Sequence, residues 1–125
     1  MTEQKANSYA LACKAIEDML VRSRKAQAKF KPGTSQYSLQ VNRIKALDLS
    51  LMLLSNEAMQ TIDHHYTTQD LKSAVAPLTS LISKSEKAIV KLRPDSWQHT
   101  MLTSNLMALK LALNKLYEQL KDDHD

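Results

Sequence analysis

The sequence predicts an all-α protein: an antiparallel, up-down-up-down four-helix bundle built from two duplicated helical hairpins. Three observations carry this expectation. The first is composition. The 125 residues include one glycine and three prolines, with 43% hydrophobic and 24% charged residues. Strand-rich folds need many turns, and turns use glycine and proline, so their scarcity beside abundant Ala, Leu, Lys and Gln points to helices. The second is a repeat. The stretch from Lys25 to Leu54 returns sixty-two residues later, from Lys87 to Leu116, with ten of thirty positions identical. Phe30/Leu92, Lys31/Arg93, Thr34/Ser96 and Ile44/Leu106 are close exchanges. The third is period: apolar or small residues recur in 4-3 steps, the seam of a packed helix.

The first helix is expected near 7–30, with its seam at Tyr9, Cys13, Ile16, Leu20, Ser23, Gln27 and Phe30. Lys29 and Lys31 suit the negative end of its dipole, and Pro32 stops it by removing a hydrogen bond and clashing with the preceding turn. The second is expected near 34–62, capped by Thr34, with its seam at Tyr37, Gln40, Ile44, Leu47, Leu51, Leu54 and Ala58. A short loop at Asp63–Thr67 follows. Thr67 and Asp70 have capping-box spacing for a third helix near 68–92. Its seam is Leu71, Val75, Leu78, Ile82, Ser85, Ile89 and Leu92. Pro77 inside it predicts a kink or a new start. Pro94 repeats the role of Pro32. The fourth helix is expected near 96–121, capped by Asp95 with Gln98, or by Ser96. Its seam is His99, Leu102, Leu106, Leu109, Leu113, Leu116 and Leu120.

The repeat therefore spans about 9–58 and 71–120. One hairpin cannot bury the stripes of both its helices, whereas two closing on a shared core can. Two units are too few for a solenoid. The expectation is one domain, 1–125, long enough for a core, with 121–125 as a disordered acidic end. The core should include Cys13, Ile16, Leu20, Ile44, Leu47, Leu51, Leu78, Ile82, Leu106, Leu109 and Leu113. No apolar run reaches the length of a membrane span. The first twenty residues lack a basic region followed by an apolar one, so a cytoplasmic location is the default. The single cysteine cannot form an internal disulfide, which agrees with a reducing compartment.

The sequence carries no recognisable catalytic motif. None of Glu3, Glu17, Glu57, Glu86 or Glu118 has a histidine three residues on, so the di-metal bundle pattern is missing. Zinc-ligand cysteine pairs, the zinc-protease helix and a glycine-rich phosphate loop are missing too. Asp63, His64 and His65 form the one local cluster of ligand types. Adjacent side chains on a helix point about 100° apart, so they could share a metal only from a loop; a surface loop without a ligand is the plainer reading. Cys13 reads as a core residue, His99 as a polar-tipped ring near a helix start, and the methionines as gap-fillers. No cofactor is expected, and neither an enzyme nor a metal protein.

Charge says more. The net charge is only +4, but Arg22, Arg24, Lys25, Lys29 and Lys31 crowd the first hairpin turn. Lys84, Lys87, Lys91 and Arg93 crowd the second. In the expected topology both turns lie at one end of the bundle. Dipole matching and solvation would explain such a pattern; so would a site for an anionic partner. Trp97 stands at the start of the fourth helix, where the first unit has Ser35, so the fold does not require an indole there. A tryptophan among cations fits an interface. The expectation is a non-enzymatic interaction or regulatory module whose basic end meets a protein with an acidic surface. Nucleic acid at the same end is the alternative, weakened by the modest charge and by the lack of a reading helix.

Overall fold

The computed structural model describes the backbone of residues 3–59 and 66–124, and the side chains of 7–59 and 66–122. Among these residues there are four α-helices and no strand: α1 (Glu3–Gln27), α2 (Ser35–Met59), α3 (Thr68–Ile89) and α4 (Trp97–His124). α4 runs on to His124, into the stretch 121–125 where the sequence suggested a disordered acidic end. Neither Gly nor Pro interrupts that stretch, and half-buried Leu120 packs its last turns against the core. Residues 60–65, including much of the expected loop, lie outside the described residues.

α1 and α3 stop three residues short of expectation because their last turns tighten. Lys29 N–H donates to the Ala26 carbonyl and Phe30 N–H to Gln27, both at 3.1 Å. Lys91 to Ala88 and Leu92 to Ile89 match them, also at 3.1 Å. Such three-residue bonds use up orphan carbonyls and end the helix. The chain then reverses. Thr34 N–H donates to Lys31 at 3.2 Å and Ser96 N–H to Arg93 at 3.0 Å. Pro32 and Gly33, at φ 89°, occupy the centre of the first reversal in the manner of a type II turn, whose third residue needs a positive φ. Thr34 Oγ1 next accepts the Tyr37 N–H at 3.2 Å, and Ser96 Oγ accepts the His99 N–H at 3.2 Å. The cap of α4 is thus Ser96 rather than Asp95, which pairs with Arg93 at 3.4 Å instead. α3 has the expected capping box: Thr67 N–H to Asp70 Oδ2 at 3.0 Å and Asp70 N–H to Thr67 Oγ1 at 3.1 Å.

Pro77 does not divide α3, which runs unbroken through it. Its neighbours Ala74 and Leu78 are both buried, and their packing holds the segment helical despite the lost hydrogen bond.

The core follows the sixty-two-residue offset. Tyr9 and Leu71, Ala12 and Ala74, Ile16 and Leu78, Ala46 and Ala108, Leu47 and Leu109, Ser50 and Ala112, and Leu54 and Leu116 are all buried. α2 packs against α1, α3 and α4, while α1 and α3 make no contact among the described residues. Three neighbours bury α2 over a wide arc. Ala46, Leu49, Ser50 and Leu53 are therefore buried although they lie off the expected seam. Conversely Cys13, Ile44, Leu51, Ile82, Leu106 and Leu113 are half-buried rather than buried. On α2 and α4 they alternate with fully buried Leu47, Leu54, Leu109 and Leu116 of the same seams, so each helix is rotated to favour one edge of its apolar stripe. Cys13 Sγ lies 3.6 Å from Ser55 Oγ, and burial pushes its thiol above its usual value.

Lys115 occupies the place of buried Leu53 sixty-two residues earlier. Its ammonium lies 3.1 Å from both Glu57 and Glu118 and 5.5 Å from the centre of the Tyr9 ring, tying α4 to α2 and α1. Burial lowers its pKa, but the two carboxylates and Tyr9 outweigh this and hold it above the ordinary lysine value. A raised lysine pKa contributes stability that is present at neutral pH and lost only as pH climbs past roughly 10.4.

Leu47→Ala or Leu109→Ala should each cost about 2–5 kcal/mol in urea titration; a loss below about 1 kcal/mol would place that leucine outside the core. Lys115→Leu, copying Leu53, should be tolerated to within about 1 kcal/mol, because an apolar isostere can replace a buried charged group. Lys115→Ala should cost more in the same titration, since it leaves a cavity. Equal losses for the two would show that the charge, not the volume, matters there.

Candidate functional site

The ten residues expected to bind a partner are all exposed: Arg22, Arg24, Lys25, Lys29 and Lys31 around the first turn, and Lys84, Lys87, Lys91, Arg93 and Trp97 around the second. The local fold explains their exposure. Arg24, Lys25 and Lys87 fall in the closing turns of α1 and α3, Lys29, Lys31, Lys91 and Arg93 in the reversals, Arg22 and Lys84 just before those closing turns, and Trp97 opens α4. Two of the nine cations have carboxylate partners: Arg24 with Asp48 at 3.2 Å and Arg93 with Asp95 at 3.4 Å. Both pairs are largely solvated and worth little. Arg22, Lys25, Lys29, Lys31, Lys84, Lys87 and Lys91 have no ion pair among the described residues. Trp97 is 69% exposed, so its indole covers little of the hairpin end. Val90, at 80%, and Leu39 are exposed near the turns as well.

Below the turns full burial ends and the half-buried interior mixes apolar Tyr37, Leu81, Ile82, Ile89 and Leu102 with polar residues. Buried residues on α1 end at Leu20 and on α3 at Leu78; on α2 they begin at Gln40 and on α4 at Asn105. Between these limits and the turns, seam residues such as Ser23, Gln27, Ser85 and His99 are only half-buried. Arg43 sits at this boundary, one helical turn from Gln40, and Asn105 is its counterpart sixty-two residues on. The Nε and Nη2 atoms of Arg43 are buried and have no hydrogen-bond partner among the described residues. Burial pulls the guanidinium below its usual pKa, although arginine stays charged at neutral pH. The sequence reading passed over Arg43, Gln40 and Asn105. The available signal was Gln40 as a polar residue on an apolar seam, with polar residues at both 43 and 105.

Elsewhere, two grooves of about 300 and 410 Å³ flank half-buried Tyr66 between α2 and α3. Burial first, then Asp48 and Asp70, push the Tyr66 phenol up. Neither groove is lined by any of the ten expected residues. Among the described residues no group of three His, Cys, Asp or Glu is placed to hold a metal ion, and Asp63, His64 and His65 lie outside them. None of the described helices is long and apolar enough to cross a membrane. No protein-family model, curated protein or solved structure matches this chain.

Arg43→Met keeps the apolar stem and removes the desolvated charge. It should raise stability in urea titration by on the order of 1 kcal/mol. A clear loss of stability would mean that the guanidinium is well paired in solution.

Proposed function

We propose that this chain is a small, non-enzymatic, cytoplasmic interaction module that binds the acidic surface of another protein through its two basic turns. In this reading the four helices form an antiparallel, up-down-up-down bundle of two duplicated hairpins. The matched burial and turn hydrogen bonds at the offset of sixty-two support duplication. The pairings Cys13–Ser55 and Arg24–Asp48 between α1 and α2, with Lys110–Glu86 between α3 and α4, support alternating direction. Both turns then lie at one end.

The observation that carries the function is seven exposed cations without ion pairs among the described residues, gathered around two reversals beside an exposed tryptophan. Neutralising helix dipoles needs one or two cations per helix end, not this many. A charged rim steers and aligns a partner of opposite sign, while an indole supplies apolar contact. Nucleic acid would use the same cations, and the test separates the two.

The double variant Lys31→Glu/Arg93→Glu should keep its helical circular dichroism, because both side chains are exposed, and should lose the partner that wild type captures from host extract. Capture should weaken with salt, since exposed charges are screened over about 8 Å at physiological ionic strength. Trp97→Ala should weaken it with less salt dependence. Survival of capture after nuclease treatment is expected; its loss would move the reading to nucleic acid. A folded double variant that captures the partner as well as wild type would leave the basic turns as solvated surface.

A further inference from the structure

We propose that Arg43 anchors a carboxylate of the acidic partner, with Gln40 one turn away and Asn105 on α4 completing a donor-lined seat at the floor of the basic end. The proposal rests on the reading of that end as a protein-binding surface.

The starting point is an unpaired cation at the edge of the core. Two of the three Arg43 nitrogens are buried without an acceptor. A buried donor left unsatisfied is costly, and more so on a charged group. The carboxylate five residues along α2, Asp48, is already engaged by Arg24 at 3.2 Å. Nothing among the described residues therefore neutralises Arg43 from within. Its surroundings favour an incoming anion over a neutral acceptor. Gln40 and Asn105 are buried polar residues on the two helices that meet there, and their amides can turn N–H donors toward a carboxylate. A guanidinium presents paired donors that match the two oxygens of a carboxylate.

Position matters equally. One turn deeper lie Ala46, Leu47, Ala108 and Leu109, all buried, so the core closes that side of Arg43 to a ligand. On the side of the turns the seam is only half-buried, polar at Ser23, Gln27, Ser85 and His99 and apolar at Ile82, Ile89, Leu92 and Leu102, and the rim carries cations without ion pairs among the described residues. An acidic side chain drawn in by the rim would thus meet a guanidinium with two buried nitrogens that have no acceptor among the described residues. The modest net charge of +4 suits a short acidic protein segment better than a polyphosphate chain.

The test follows the Arg43 Nε–H resonance of nitrogen-15-labelled protein during addition of hexaglutamate, with oligothymidylate as a second arm. The expected result is a saturating shift of that resonance with hexaglutamate. Arg43→Met should weaken hexaglutamate affinity about 10–100-fold, the range of a lost charged hydrogen bond, without lowering thermal stability. Arg43→Lys should recover only part of it, because an ammonium lacks the planar fork. If signals at Lys31 and Arg93 respond while Arg43 does not, and Arg43→Met binds as wild type, the anchor is overturned and the basic end stands. If neither responds, both readings fall. A response of Arg43 to oligothymidylate alone would overturn the carboxylate assignment in favour of phosphate.

Discussion

The structure is organised around α2 and α4, each of which packs against all three other helices. Each helix brings small buried residues to the centre, Ala46 and Ser50 on one and Ala108 and Ala112 on the other, spaced four apart so that they share a face. Small side chains let two helices approach closely, and that approach gives α2 and α4 neighbours on several sides. α1 and α3 are then carried to opposite flanks and make no contact among the described residues. The large residues Leu47, Leu54, Leu109 and Leu116 fill the space around the contact. Ser50 fits this apolar centre because its hydroxyl donates to the Ala46 carbonyl at 2.7 Å, so no polar group there is left unpaired.

Two withdrawn cations show how differently this framework treats charge. Lys115 replaces a core leucine and is held by Glu57, Glu118 and the face of Tyr9. Its charge is neutralised locally, and it joins three helices. Arg43 has buried nitrogens with no acceptor among the described residues. The first arrangement is structural, since every donor has a use. The second costs stability, because a desolvated charged donor left without an acceptor is penalised.

Gln40, Arg43 and Asn105 mark where full burial ends. On one side the matched apolar positions are buried. On the other the seam loosens into half-buried residues, polar Ser23, Gln27, Ser85 and His99 with apolar Ile82, Ile89 and Leu102, and the exposed surface becomes basic. Chain reversal by backbone hydrogen bonds makes this division workable: the turns hold their shape through Thr34, Ser96 and the tightened helix ends, leaving their lysines unneeded for folding.

The sequence by itself determined the helices, their caps and the correspondence between the two halves. These are local matters: Pro32 and Pro94 stop helices wherever they stand, Thr67 with Asp70 caps one, and an offset of sixty-two can be read by alignment. It also placed the basic turns and Trp97 outside, because residues in reversals rarely find a core. It misjudged Cys13, Ile44, Leu51, Ile82, Leu106 and Leu113 as fully buried, and it passed over Arg43. Those depend on how far each helix rotates about its axis and on how many neighbours it meets. A seam shows which face is apolar. Only the packed arrangement decided that α2 would be covered on three sides, that Pro77 would be held within α3, and that an arginine beside the seam would have two of its nitrogens buried.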